Sequence, residues 1–265
     1  MKKTFGILLF MFLPFSVILG TSYKVMNLDQ FNEKSKLLLP GDSIILSNGV
    51  WKDAQLVFKG NGEKNKYIYL LAENSGKVSL EGESCLRMSG NWLYVSGLVF
   101  RNGHTPRKTV IEFRTGSKEY AFNSVLAECV VDQFNQKVKD STDHWIALYG
   151  QKNTIRNCYF AGKTNLGTTL IVCPDDENSI NNQHLIYRNY FGFRPRLGSN
   201  GGETIRIGTS EVCTNSSETI VKGNYFEHCS GETEIISNKS TDNSFLNNTF
   251  YECEGSLVLR YGNNA

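Results

Sequence analysis

The chain is poor in the residues that mark several large protein classes. It has four histidines and seven cysteines in 265 residues. No Cys-x-x-Cys pair occurs, and His104, His144, His184 and His228 have no ligand spacing, which argues against a zinc module. Seven is odd, so complete internal disulfide pairing is impossible; buried free thiols acting as small hydrophobes are expected. An excess of charge of either sign is also missing. A net charge of +2 argues against nucleic acid as the main partner. Long stretches of 3.6-residue periodicity are absent, as is any Pro- or Ser-rich linker, so a helical bundle and a multidomain chain are both disfavoured. Gly162-Lys163-Thr164 resembles the end of a phosphate loop, but the position that needs the upstream glycine holds Asn157.

Residues 1–22 have the form of a signal peptide. Lys2 and Lys3 precede an almost wholly apolar run from Phe5 to Leu19, and Gly20, Thr21 and Ser22 offer a cleavage zone. The run is short for a membrane span, and no cysteine follows it for a lipid anchor. The expectation is export to the periplasm or beyond, with no membrane anchor after cleavage and with residues 23–265 as one domain.

What the sequence does have is a repeat. Asn157-Cys158-Tyr159-Phe160, Asn189-Tyr190-Phe191, Asn224-Tyr225-Phe226 and Asn248-Thr249-Phe250 share a signature, with degenerate copies ending at Phe100 and Phe134. The aromatic positions are 34, 26, 31, 35 and 24 residues apart. Short alternating segments such as Thr154-Ile155-Arg156 and Ile186-Tyr187-Arg188 lie between them. The pattern predicts an all-β solenoid, a single-stranded parallel β-helix with turns of roughly 20–30 residues. Asn at one phase predicts stacked amides at a tight corner. Cys229 and Cys253, each three residues after a signature phenylalanine, should lie one above the other. The segment from Asn27 to Lys36, with Leu28 and Phe31, reads as a short amphipathic helix capping the open first turn.

In such a coil, residues far apart in sequence converge. Glu232 and Glu234 are two apart and would leave a strand by one face. Lys239 follows them, and Arg260 lies twenty-one residues beyond that, about one turn. With Asn200, these side chains could meet on one patch. Taken singly, the glutamates could be a solvated face with Lys239 and Arg260 as ion-pair partners, and Asn200 before two glycines a turn residue. Arg206 could touch a ligand or pair with Glu203. Basic residues cluster locally, at Arg101 to Arg107-Lys108 and at Arg194-Pro195-Arg196, and a groove so charged would suit an acidic polymer.

Asn-Gly-Gly-Glu-Thr-Ile-Arg-Ile-Gly at 200–208, Gly-Glu-Thr-Glu-Ile-Ile-Ser-Asn-Lys-Ser at 231–240 and the strand of Arg260 resemble polysaccharide lyase family six, which contains alginate lyases and chondroitinase B. The resemblance implies a right-handed parallel β-helix and calcium-assisted β-elimination. Asn200, Glu232 and Glu234 would hold Ca²⁺, Lys239 would remove the C5 proton, and Arg260 would assist departure of the glycosidic oxygen. Arg206 and Tyr261 would contact substrate; Tyr261 stands where the family carries histidine. The motif strings look closer to the alginate lyases, with dermatan sulfate as the alternative substrate. The family continues for several coils beyond the point matching Ala265, so the domain is expected to be incomplete at its C-terminal end. That leaves a non-catalytic polyuronate-binding β-helix as a further alternative.

Overall fold

The computed structural model describes residues 20–198 and 200–261. Most of the segment read as a signal peptide, residues 1–19, lies outside the described residues. Thr21 and Ser22 already belong to the coil: the Thr21 N–H donates to the Asp42 carboxylate, and Ser22 opens a strand paired with Ser43–Leu46. Among the described residues no helix is long and apolar enough to cross a membrane.

The chain winds as a right-handed parallel β-helix. Among the described residues, successive turns contribute strands to three sheets of nine, ten and eight strands, whose sequence order shows each turn adding one strand to each sheet over most of the coil. Strand alternation explains why these sequences suit it. In Ser43–Leu46 the side chains of Ile44 and Leu46 are buried while Ser43 and Ile45 are half-exposed. In-register pairing then stacks like on like. Ile44, Leu70, Val95, Leu126, Ile155 and Ile186 form one inner column in the first sheet. Leu86, Ile111, Ile146, Leu170, Ile205 and Ile236 form another in the second. Each such side chain contributes about 1.5–3 kcal/mol by leaving water.

The third sheet carries the aromatic signature. Phe160, Phe191, Phe226 and Phe250 pair in sequence, with ring centroids 4.9 Å apart for Phe191–Phe226 and 4.8 Å for Phe226–Phe250. One expected member is displaced. The residue aligned with both Phe100 and Phe160 is Val131, and Phe134 is buried three residues later, beyond the strand. An aromatic ring was the visible marker, but the inward slot of that turn accepts a β-branched residue equally well.

The amide ladder also differs in phase from the sequence expectation. Asn224 accepts from the Asn189 N–H at 2.9 Å, and Asn248 from the Asn224 N–H at 3.0 Å. At the preceding turn Cys158 occupies the equivalent place, its N–H donating to Asn189. Asn157 stands one residue earlier, in the left-handed conformation shared by Arg188 and Asn247. The ladder residue and the left-handed residue are therefore neighbours.

The cap is a helix at Leu28–Lys34, shorter than expected. The Asn27 side chain accepts from the Gln30 N–H, and Phe31 is buried against the first turn. All seven cysteines are free thiols, five of them buried; Cys229 and Cys253 stack, the Cys229 N–H lying 3.4 Å from the Cys253 sulfur.

Candidate active site

The second sheet carries the site on its outer face. In Ile205–Ile207 both isoleucines are buried and Arg206 points outward, aligned with Ile171 on the preceding turn and Ser237 on the next. The strand Glu234–Lys239 is irregular at both ends. Its register with Ser256–Tyr261 slips between Glu234 and Ile236 and again between Asn238 and Lys239, so Lys239 aligns with Tyr261 and Arg260 is the extra residue. Such bulges re-aim side chains.

Glu232 is not in that strand; it occupies the bend before it, so alternation cannot account for its direction. It nevertheless converges with Glu234, because carboxylate oxygens of Glu203, Glu232 and Glu234 all lie within 4.8 Å of one another. Glu203 is the member that the sequence reading left as a partner of Arg206. The one-turn offset that pairs Ile205 with Ile236 also brings Glu203 beside Glu234, and that spacing was the available signal.

Two cations meet Glu203 through one oxygen. Its Oε1 lies 3.6 Å from Arg206 Nη1 and 3.8 Å from Lys239 Nζ. Its Oε2 is buried and has no hydrogen-bond partner. Arg260 pairs with Glu234 Oε1, and the Ser237 hydroxyl donates to Glu234 Oε2. Burial works against ionisation of Glu234, but Ser237 and Arg260 together hold it below the usual carboxylate range. Glu232 moves the other way, raised by burial first and then by the Glu203 charge. Asn200 is exposed and lines, with Glu232, Arg196 and Ser230, a cleft of about 530 Å³ beside the trio. Tyr261 is exposed at the edge of the site, next to Arg260. His144 lies on the adjoining outer face, its Nδ1 2.8 Å from Thr168 Oγ1, and burial followed by the Arg206 charge lowers it to about 4.

The donor set fits a hard divalent cation. Three carboxylates crowd together, one buried oxygen is unpartnered, and oxygen-only ligands are what Ca²⁺ takes. The basic cluster at Arg194-Pro195-Arg196 does not act as a surface patch: Arg194 is buried, its guanidinium donating to main-chain carbonyls, and only Arg196 is exposed, paired with Glu254. A buried guanidinium is stable where main-chain carbonyls accept its N–H groups.

The coil and its outer-face cluster of carboxylates, lysine and arginine define a parallel β-helix of the polysaccharide-lyase type. The family described as Chondroitinase B matches residues 25–265, and the chain belongs to this family, polysaccharide lyase family six. Among solved structures, the family-six alginate lyase AlyGC is 45% identical with a TM-score of 0.90, over 91% of this chain and 33% of that one. A mannuronic acid-specific family-six lyase from human gut microbiota is 35% identical with a TM-score of 0.86, over 91% and 56%. A family-six lyase from Pseudopedobacter saltans is 31% identical with a TM-score of 0.81, over 91% and 55%. The chain therefore spans from a third to just over half the length of these relatives. No match was found among curated proteins.

Proposed function

We propose that this protein is an exported, calcium-dependent lyase that cleaves alginate by β-elimination, leaving a 4,5-unsaturated uronate end. The observation that carries the reading is the convergence of Glu203, Glu232 and Glu234 with Lys239 and Arg260 on one outer face. The similarity to the alginate lyase AlyGC at 45% identity and to a mannuronic acid-specific lyase at 35% supports the substrate, and the charged start and apolar run of residues 2–19 support export.

In this reading Asn200, Glu232 and Glu234, joined by Glu203, hold the cation. Bound Ca²⁺ would neutralise the uronate carboxylate and so stabilise the charge that develops when C5 loses its proton. Lys239, in its neutral form, takes the C5 proton; the freed electron pair becomes the C4–C5 double bond as the C4–O4 bond breaks. Arg260 stabilises the negative charge on departing O4, a role that suits a guanidinium better than proton donation. Glu203 orients the Lys239 amine, and Arg206 and Tyr261 contact the sugar chain.

The test is ultraviolet detection of the conjugated uronate after mixing with alginate or dermatan sulfate, with calcium or with chelator. Calcium-dependent signal on alginate supports the reading. Signal on dermatan sulfate alone would shift the substrate to the one suggested by the family's description. Polymer binding without product, from folded protein, would leave a calcium-dependent binding module.

A further inference from the structure

The residue that ties the carboxylate trio together lies outside it. Arg194 is 1% exposed, and among the described residues no carboxylate pairs with it directly. Its Nε donates to Gly202 O at 2.7 Å, and its Nη2 to Gly167 O at 2.6 Å and Gly201 O at 3.3 Å. Its Nη1 reaches Lys163 O at 3.4 Å. Gly202 immediately precedes Glu203.

The main chain around Arg194 holds the next turn. Its N–H donates to His228 O at 3.0 Å, its carbonyl accepts from the Ser230 N–H at 2.9 Å, and the Leu197 N–H donates to Gly231 O at 3.0 Å. Gly231 immediately precedes Glu232. The packing there is tight enough to require glycine: a Cβ on Gly231 would lie 2.2 Å from Gly202 O and 2.6 Å from Arg194 Nε. The Arg194 fork thus holds the turn that launches Glu203, while it packs against Gly231 and the main chain of Arg194 and Leu197 bonds the turn that launches Glu232.

We infer that Arg194 is a positioning residue for the trio, fixing the separation of Glu203 and Glu232 by clamping the glycine turns ahead of both. This rests on the reading of the trio as a calcium site. Charge and geometry predict opposite signs. Glu203 and Glu232 are close enough to interact with the Arg194 charge. As a charge alone, Arg194 opposes cation binding, and a neutral replacement would tighten it. As a clamp it preorganises the ligands, and loss of the planar fork weakens binding even where lysine keeps the charge.

Calcium titration by calorimetry on the whole protein, with thermal unfolding recorded alongside, compares wild type with Arg194→Lys, Arg194→Met and Gly231→Ala. The calcium Kd is expected to rise about ten-fold or more in all three, the usual effect of losing a group that orients metal ligands. Activity on alginate falls at limiting calcium and recovers in excess. An unchanged Kd in Arg194→Lys, or tighter binding in Arg194→Met, overturns the clamp. Should both Arg194 variants fail to fold, Gly231→Ala decides: a folded variant with wild-type affinity overturns it, and a ten-fold loss upholds it. Absence of calcium binding in the wild type itself overturns the functional reading, and the clamp with it, before any variant is compared.

Discussion

Lys239 Nζ stands 3.8 Å from a carboxylate oxygen of Glu203, a residue from the preceding turn of the coil. Register does not set them side by side, because the pairing of Ile207 with Asn238 puts Lys239 level with Gly208 and Glu203 level with Glu234; the two long side chains reach toward each other along the outer face. The same carboxylate faces Arg206 and belongs to the trio with Glu232 and Glu234, and its other oxygen is buried without a hydrogen-bond partner. Glu203 therefore links the proposed base to the proposed cation site.

Lys239→Ala removes the proposed base, and with it one cationic neighbour of Glu203, while leaving all three carboxylates in place. Turnover of alginate should fall about a thousand-fold, within the range for losing a general base, while calcium affinity holds. Turnover within ten-fold of wild type would remove Lys239 from the mechanism.

Glu203→Gln keeps the shape and removes the charge. Calcium binding should weaken by about ten-fold or more, and excess calcium should not restore full activity, because Lys239 loses its orienting partner as well. Full recovery in excess calcium would limit Glu203 to the cation site.

Arg260→Ala should lower kcat about a hundred-fold with little change in KM, since the proposed interaction strengthens only as charge builds on O4. It also leaves Glu234 without its guanidinium partner, so calcium affinity should be unchanged or tighter. A rise in KM with kcat intact would make Arg260 a substrate-binding residue.

His184 offers a test of stability against pH. Burial holds its imidazole down to about 3, while the unfolded chain has the ordinary value near 6.5. Above pH 6.5 both states are neutral and stability is complete. Between 6.5 and 3 the unfolded chain takes up a proton that the folded chain refuses, so stability falls as pH drops, by about 1.4 kcal/mol per unit at the steepest. His184→Asn substitutes the residue found one turn earlier, at Asn153, and retains an acceptor for the Asn153 N–H. Denaturation curves from pH 7 to 4 should show a shallower acid decline in the variant. Equal slopes would mean that His184 is not buried neutral, since His144 contributes the same slope to both proteins.

The coil was legible in the chain because a solenoid must repeat its inward residues. Phe160, Phe191, Phe226 and Phe250 recur for the same reason that their rings stack. The short cap was legible from Asn27 and Phe31, and the lack of long helical periodicity pointed to a coil of strands. Lys239 and Arg260 could be singled out because their interval matches one turn, and Glu232 and Glu234 because they stand two apart in a string that resembles the family's. Loop path and register are not local properties. Glu232 meets Glu234 from a bend, Glu203 joins them through cross-turn pairing, Val131 takes the slot assigned to Phe134, and Arg194 leaves the surface to satisfy glycine carbonyls. Sequence by itself determined the repeat, since hydrophobic stacking imposes a period. Only the tertiary structure decided which polar groups share the site, because that depends on how loops of unequal length return each strand to the coil.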